Sequence, residues 1–343
     1  MRQLPAVALL LVLAACGSPP QATPEAPPEA PASSAEAVLE KLRAGEAPNA
    51  LRYDKNPLWT AEISAALAED RPWKSDADAF AAIVYFAAQA GPDQVPVVEA
   101  FLTDTKPERR MRGLLITRLS PAGEMLDLLQ RYAAPLLDPA SRDVAGVALG
   151  ALGYRRVRGA TEVILTYYEA TDDPAALRAL GRIWEGGGDD PLRTTILLVA
   201  HKLTMGPAAS AASADTLLRV MTDDELGEFL AKWAPETFPS REFVIAAAGA
   251  KGFGAARGRQ IHEAFLKNPD PAVATTILWS SPHKLDAAAV SQLLDDDRVA
   301  ASGGKVCDYA AARLEAMETG LAPELPADEG LRERRLKKWR SRR

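Results

Sequence analysis

Proline recurs along this chain at a spacing that few folds accommodate. Pro107 and Pro139 lie 32 residues apart, Pro139 and Pro174 35, Pro174 and Pro239 65, and Pro239 and Pro271 32. Each follows one amphipathic stretch and opens a second. In DPASRDVAGVALGAL (138–152), Asp138 suits a helix N-cap and Pro139 a first helical position. Val144, Val147, Ala148 and Leu152 then follow at three- and four-residue spacing, and Gly153 reads as the C-terminal cap. Upstream, EMLDLLQRYAAPLLD (124–138) reads as the partner helix. Segments 95–119, 160–184 and 261–280 share the layout, and FPSREFVIAAAGAKG begins a further copy. The 65-residue interval is close to two periods, which implies a degenerate copy between 190 and 235. One period before Pro107 lies SDADAFAAIVYFAAQA (75–90), and one period after Pro271 lies GGKVCDYAAARLEAM (303–317), both amphipathic. MGPAASAASADT (205–216) reads as loop.

A period of this length with two helices per unit predicts an all-α protein. The expected architecture is a right-handed α-solenoid of paired antiparallel helices over residues 36–320, each pair leaning only on its neighbours to form a rod. Composition agrees, because Ala and Leu are abundant, β-branched residues sparse and aromatics only 6%. Small residues on the second helices permit close approach. A large side chain at Ala148 or Gly150 is therefore expected to overpack the stack by about 1–3 kcal/mol. The layout resembles bacterial HEAT-like repeats (HEAT/armadillo-like). In that family the first helix ends Leu-x-Asp, the turn carries Asp-Pro and the second helix runs Val-Arg-x-x-Ala-x-x-Ala-Leu. LLDPASRDVAGVALGALG is the best match, with Arg142 one place early. The resemblance covers roughly residues 55–320, and several copies lack the turn arginine.

The amino terminus speaks to location. Met1 and Arg2 supply positive charge, and LPAVALLLVLAA (4–15) is a 12-residue apolar run, shorter than the roughly 20 residues a spanning helix needs. It fits the h-region of a secretory signal over residues 1–15. Leu13-Ala14-Ala15-Cys16 resembles the lipobox of bacterial lipoproteins, which implies that Cys16 is acylated and becomes the first residue of the mature chain. Two or more acyl chains hold a protein on a bilayer firmly. Gly17 and Ser18, with no aspartate next, resemble the sorting pattern of proteins sent to an outer membrane where the host has one, facing the periplasm. The tether over residues 16–35 includes GSPPQATPEAPPEAPASS, with six prolines in 18 residues. Proline cannot continue a helix, and a polyproline-like spacer of this length reaches up to about 55 Å.

Candidate chemistry is thin. His201 and His262 lie 61 residues apart, too far to converge in a stack of neighbours. His262, Glu263 and His283 are the one set that could approach a metal, although solvated histidines on separate faces are the expectation; no metal is assigned. EGGGDDP (185–191) reads as a turn into a helix capped by Asp190, and LDDD (294–297) as the acidic end of a first helix. Cys307 reads as a packing residue, and with Cys16 acylated it has no disulfide partner. No catalytic residue or cofactor is assigned.

The carboxyl terminus, residues 321–343, differs in charge from the rest. LRERRLKKWRSRR (331–343) holds eight basic residues and one acid, a net +7, leaving −13 for residues 1–330 of a chain whose net is −6. Either this is a helix that caps the last repeat through Leu331, Leu336 and Trp339, or Arg334, Arg335, Lys337, Lys338 and Arg340 contact an anionic surface. The expected function is a membrane-anchored, non-enzymatic scaffold that binds a protein partner, with no role for nucleic acid. Two readings compete: an enzyme or accessory subunit similar to bilin-lyase-type HEAT-like proteins, and a structural envelope spacer.

Overall fold

The computed structural model describes residues 35–343 except 53, 207–209, 235–240, 250–253 and 302. Among the described residues every regular element is helical, apart from one isolated antiparallel bridge between Val299 and Lys305. The chain divides into two compact units, Met1–Ile183 and Trp184–Arg343. Each is an α-solenoid of paired antiparallel helices packed in sequence order.

In the first unit, α1 (Ala35–Arg43) packs on α2 (Pro57–Ala68), which meets α3 (Asp76–Gln89). Next come α4 (Val95–Leu102) with α5 (Pro107–Leu119), and α6 (Gly123–Arg131) and short α7 (Ala133–Leu136) with α8 (Arg142–Arg155). The last pair is α9 (Thr161–Thr171) with α10 (Pro174–Ile183). The second helices form a continuous row, since α3 touches α5, α5 touches α8 and α8 touches α10. That next-but-one contact is what a two-helix period dictates, and it buries the second helices on several sides at once. On α8, Ala145 and Leu149 are as buried as Val144, Ala148 and Leu152, while Val147 is only half-buried.

The second unit repeats the scheme. Its elements are α11 (Pro191–Met205), α12 (Ala211–Val220), α13 (Asp223–Trp233), α14 (Arg241–Ala248), α15 (Ala255–Phe265), α16 (Pro271–Ser280), α17 (Ala287–Ser291), α18 (Val306–Thr319) and α19 (Glu329–Arg340). Here α12, α14, α16 and α18 make the row of second helices, and α13 touches α15.

Helix starts follow the sequence signals. Asp190 accepts from the Leu192 amide and Asp270 from the Ala272 amide, each with proline at the first helical position. Pro174 opens α10 in the same way, with Asp173 accepting from the Ala175 amide, whereas Pro107 opens α5 behind Lys106 with no side-chain cap. Pro139 opens a 3₁₀ turn ahead of α8, still capped by Asp138 through the Ala140 amide. Pro239 lies outside the described residues.

Four expectations need correction. Part of 205–216 is helix, because Ser210 and Ser213 form a capping box that starts α12. The helix expected over 124–138 breaks at Tyr132, three residues before Pro135, which has no N–H to continue the ladder. Gly153 does not end α8; Arg156 does, in a left-handed conformation (φ 54°). The reason for Gly153 is proximity, since a Cβ there would sit 3.0 Å from the Ala179 Cα on α10. Gly150 is the reverse case. A Cβ there meets nothing nearer than the Arg118 guanidinium at 4.0 Å, so this position is open rather than crowded.

Candidate functional site

Arginine makes many of the polar joints between helices. The last carbonyls of a helix have no partner within it, and a guanidinium offers five donors in a fixed fork. Arg112 on α5 donates to the Leu67 carbonyl at the end of α2, 3.1 Å away, and also pairs with Asp70. Arg257 on α15 donates to the Leu218 and Met221 carbonyls ending α12. Arg313 on α18 donates to the Ser281 and His283 carbonyls just past α16, both at 2.9 Å. These separations lie between 30 and 45 residues, on the order of one repeat. An arginine about one period after a helix end is therefore the sequence signal for the joint, and residue-type reasoning alone passed over it.

The histidines overturn the expectation of solvated rings on separate faces. His262 and His283 are buried, with ring centroids 5.2 Å apart. The Ile245 carbonyl lies 3.2 Å from His262 Nε2 and Ser281 Oγ 2.8 Å from Nδ1. A carbonyl only accepts, so Nε2 carries the proton and Nδ1 accepts from the hydroxyl. By the same logic His283 Nε2 donates to the Ala248 carbonyl at 2.6 Å. Burial pushes the His262 pKa down to about 4, with His283 and Arg313 adding to the effect. Glu263 turns away to accept from the Asp286 amide. Gly258 lets the cluster close, since a Cβ there would overlap the His283 ring at 2.2 Å. The cluster thus joins α14, α15, the 281–283 turn and α18, with both His262 nitrogens engaged. Among the described residues no group of three or more His, Cys, Asp or Glu side chains could hold a metal ion. His201 stands apart, half-buried and edge-on to Trp233.

Charge is buried at the start of the second unit. Arg219, 2% exposed, donates to Asp215 and to Glu185. Arg193 donates to the Val220 carbonyl and pairs with Glu225, which also accepts from the Thr222 amide. Gly186, Gly187 and Gly188 all have positive φ, and a Cβ on Gly187 would strike Thr222 at 2.7 Å. The triple glycine is thus a turn pressed against these ion pairs. Cys307 is fully buried, and burial raises its thiol pKa to about 11, with Asp308 and Asp297 contributing. The LDDD carboxylates are engaged too: Asp295 with Arg340 and Arg343, Asp296 with Arg298, and Asp297 with Lys305.

In the carboxyl-terminal helix, Leu336 and Trp339 pack against the core of the second unit, as capping requires, whereas Leu331 does not join them and stays 48% exposed. Of the candidate surface cations, Arg335 pairs with Glu315, Lys338 with Glu315 and Glu318, and Arg340 with Asp295 and the Leu294 carbonyl. Arg334 and Lys337 remain exposed. The five are split between inward pairing and solvent. Cys16 lies outside the described residues. No described helix is long and apolar enough to cross a membrane.

Among the described residues two concave surfaces stand out. In the second unit a cleft of about 430 Å³ runs between α14 and α16, lined by Ile245, Val273, Thr276, Ser280 and Pro282, with His262 at its wall. Beside it Trp279 is 45% exposed and meets Tyr309 edge-on at 5.8 Å. In the first unit a groove of about 870 Å³ follows α2 past Asn56, Thr60, Ser64, Gln89 and Gln94. Its second-helix row also exposes Phe80, Val84 and Tyr154. Compared with family models, with curated proteins and with solved structures, the chain finds no match.

Proposed function

We propose that this chain is a lipid-anchored, non-catalytic scaffold of the cell envelope that holds a protein partner on the outward face of its second helices. One observation carries the reading: large apolar side chains recur in solvent along those helices, Phe80 and Val84 on α3, Tyr154 on α8 and Trp279 on α16. Exposed apolar surface flanked by polar residues is the usual mark of a contact site. The groups best suited to chemistry point the same way. Both His262 nitrogens are engaged, the Cys307 thiol is held protonated, and Arg219 is locked between two carboxylates. These favour a packing role over turnover, and over a bilin-lyase-type activity.

The lipobox-like Leu13-Ala14-Ala15-Cys16 supports the anchor, and the six prolines after it support a spacer that lifts the body off the bilayer. An outer membrane facing the periplasm is the favoured site where the host has one. Two measurements test the proposal. Cys16→Ala should abolish incorporation of labelled palmitate and move the protein from the membrane fraction to the soluble one. A photo-crosslinking residue placed in turn at Gly146, Thr276 and Lys337 of the anchored protein should give a discrete protein adduct from a second-helix position; lipid adducts alone at all three would rule the scaffold out.

A further inference from the structure

The groove of about 870 Å³ in the first unit has α2 on one flank and residues 89–94 on the other. Along α2 its wall is low, because Ala61, Ser64, Ala65 and Ala68 fall on one side of that helix. Two charged residues line it, Lys55 and Asp93, and their charges cancel. The groove is therefore neither an apolar pocket nor an ion site.

What it offers is hydrogen-bond donors. Asn56 Oδ1 takes the Leu58 amide at 2.9 Å, and Gln94 Oε1 takes the Gly91 amide at 2.8 Å. A backbone N–H only donates, so these contacts fix which end of each carboxamide is the oxygen. Each NH₂ group is then left without a partner among the described residues. Gln89, half-buried in the same groove, makes no side-chain hydrogen bond there at all. Three carboxamides with unpartnered N–H groups suit a ligand rich in acceptors and poor in donors. A proline-rich strand in the polyproline conformation is such a ligand, because each residue shows a carbonyl and proline has no N–H.

The chain carries that strand immediately ahead of α1. The described chain begins at Ala35, whose carbonyl accepts from the Trp59 indole at 3.3 Å, so its first residue is pinned at the start of α2. APPEAPASS (26–34) directly precedes it. Trp59 lies on the side of α2 opposite the groove. The four steps from Pro31 to Ala35 span about 12 Å, enough to round a helix about 10 Å across. α2 has 12 residues, a length of about 18 Å, and six polyproline residues cover about 19 Å. We propose that Ala26–Pro31 docks in the α2 groove of its own chain. Its carbonyls take the N–H groups of Asn56, Gln89 and Gln94, and its proline rings lie on Ala61 and Ala65. Docking leaves Gly17–Glu25 as the free spacer, about 28 Å at full reach, so the groove sets how far the body stands from the anchored residue.

The test uses the full-length chain in neutral detergent micelles, with a benzophenone amino acid at Ala30 and its adducts mapped by peptide mass spectrometry. Adducts should fall on residues 55–68 and 89–94. Ala61→Trp, at an exposed position that fills the groove, should lower their yield by on the order of tenfold. Pro27→Ser, Pro28→Ser and Pro31→Ser together leave the helical body untouched and should lower it as much. Gln89→Leu removes one donor and should cost about threefold, whereas Phe80→Ala on the outward face of α3 should leave the yield within about twofold. Unchanged yield in both the Ala61 and the proline variants would mean nearness without docking and overturns the inference. Adducts elsewhere, or none, overturn it too. Mixing isotopically heavy and light copies gives a further check, since heavy–light adducts would put another copy's tether in the groove. The scaffold reading is judged apart from this: loss of partner adducts from Gly146 and Thr276, with the Ala30 adducts intact, sinks the scaffold and leaves the docked tether standing.

Discussion

Among the described residues the first unit buries only hydroxyls among its polar side chains: Thr60, Thr117, Ser120 and Thr161. The second buries Arg193, Asp215, Arg219, His262, Asn268 and His283 under the same architecture. In the first unit arginines reach carbonyls and carboxylates from the rim, and the interior is closed by Ala, Leu and Phe. In the second, ionic and imidazole groups sit inside the repeat contacts themselves. The difference teaches that repeat stacking sets where helices go, whereas the interior chemistry can vary from one pair to the next. It also predicts that the two units fail in different ways.

Arg219→Met should break that comparison most strongly. It leaves Asp215 buried without its partner, and breaking one side of a buried pair costs about 3–5 kcal/mol. Hydrogen exchange resolved by peptide should show faster opening throughout 184–343 with 35–183 unchanged; equal acceleration of both units would refute the assignment.

Acid should act next. All three histidines lie in the second unit. His262 is held neutral in the fold, with a pKa near 4 against an ordinary 6.5. Its contribution is therefore complete above pH 6.5 and is lost as pH falls from there toward 4, to a total of up to about 3 kcal/mol. Urea denaturation at pH 7.5, 5.5 and 4.5 should show the second unit weakening progressively and His262→Gln flattening the trend.

The Cys307 thiol sharpens both tests, because it lies in the second unit, fully buried and with its pKa raised to about 11. Maleimide should label it only when that unit opens, so its labelling rate should rise in Arg219→Met and at low pH. Rapid labelling of the native protein at neutral pH would contradict the packing described.

The smallest effects lie within α8. Gly153→Ala brings a methyl to 3.0 Å from the Ala179 backbone and should destabilise the first unit by on the order of 1 kcal/mol. Gly150→Ala meets open space and should stabilise it by about 0.5–1 kcal/mol through helix propensity. Thermal midpoints moving in opposite directions for two glycines three residues apart would separate close approach from openness.

Periodicity, caps and the turn prolines were legible in the residues because they act locally. A proline at the first helical position marks a helix start whatever lies across from it, and turn prolines recurring every 32 to 35 residues leave little choice of architecture. Less of the candidate surface was legible. The arginine runs and Tyr154 stand in the sequence, but nothing local says that Arg118 lies over that ring or that Gly146 faces open space. The loop expected over 205–216 shows the same limit. Asp215 and Arg219 look like surface charge in one dimension, yet each makes the other's burial tolerable.

By itself, then, the order of residues determined the helices, their pairing and the lipobox-like start, since each follows from neighbours a few positions apart. Only the packed structure decided which glycine is crowded, which histidines meet and which arginines reach the carbonyls of a neighbouring helix. Those outcomes depend on distances between residues about a repeat apart, and a side chain's partner across that gap is set by how the helices stack and not by its own type.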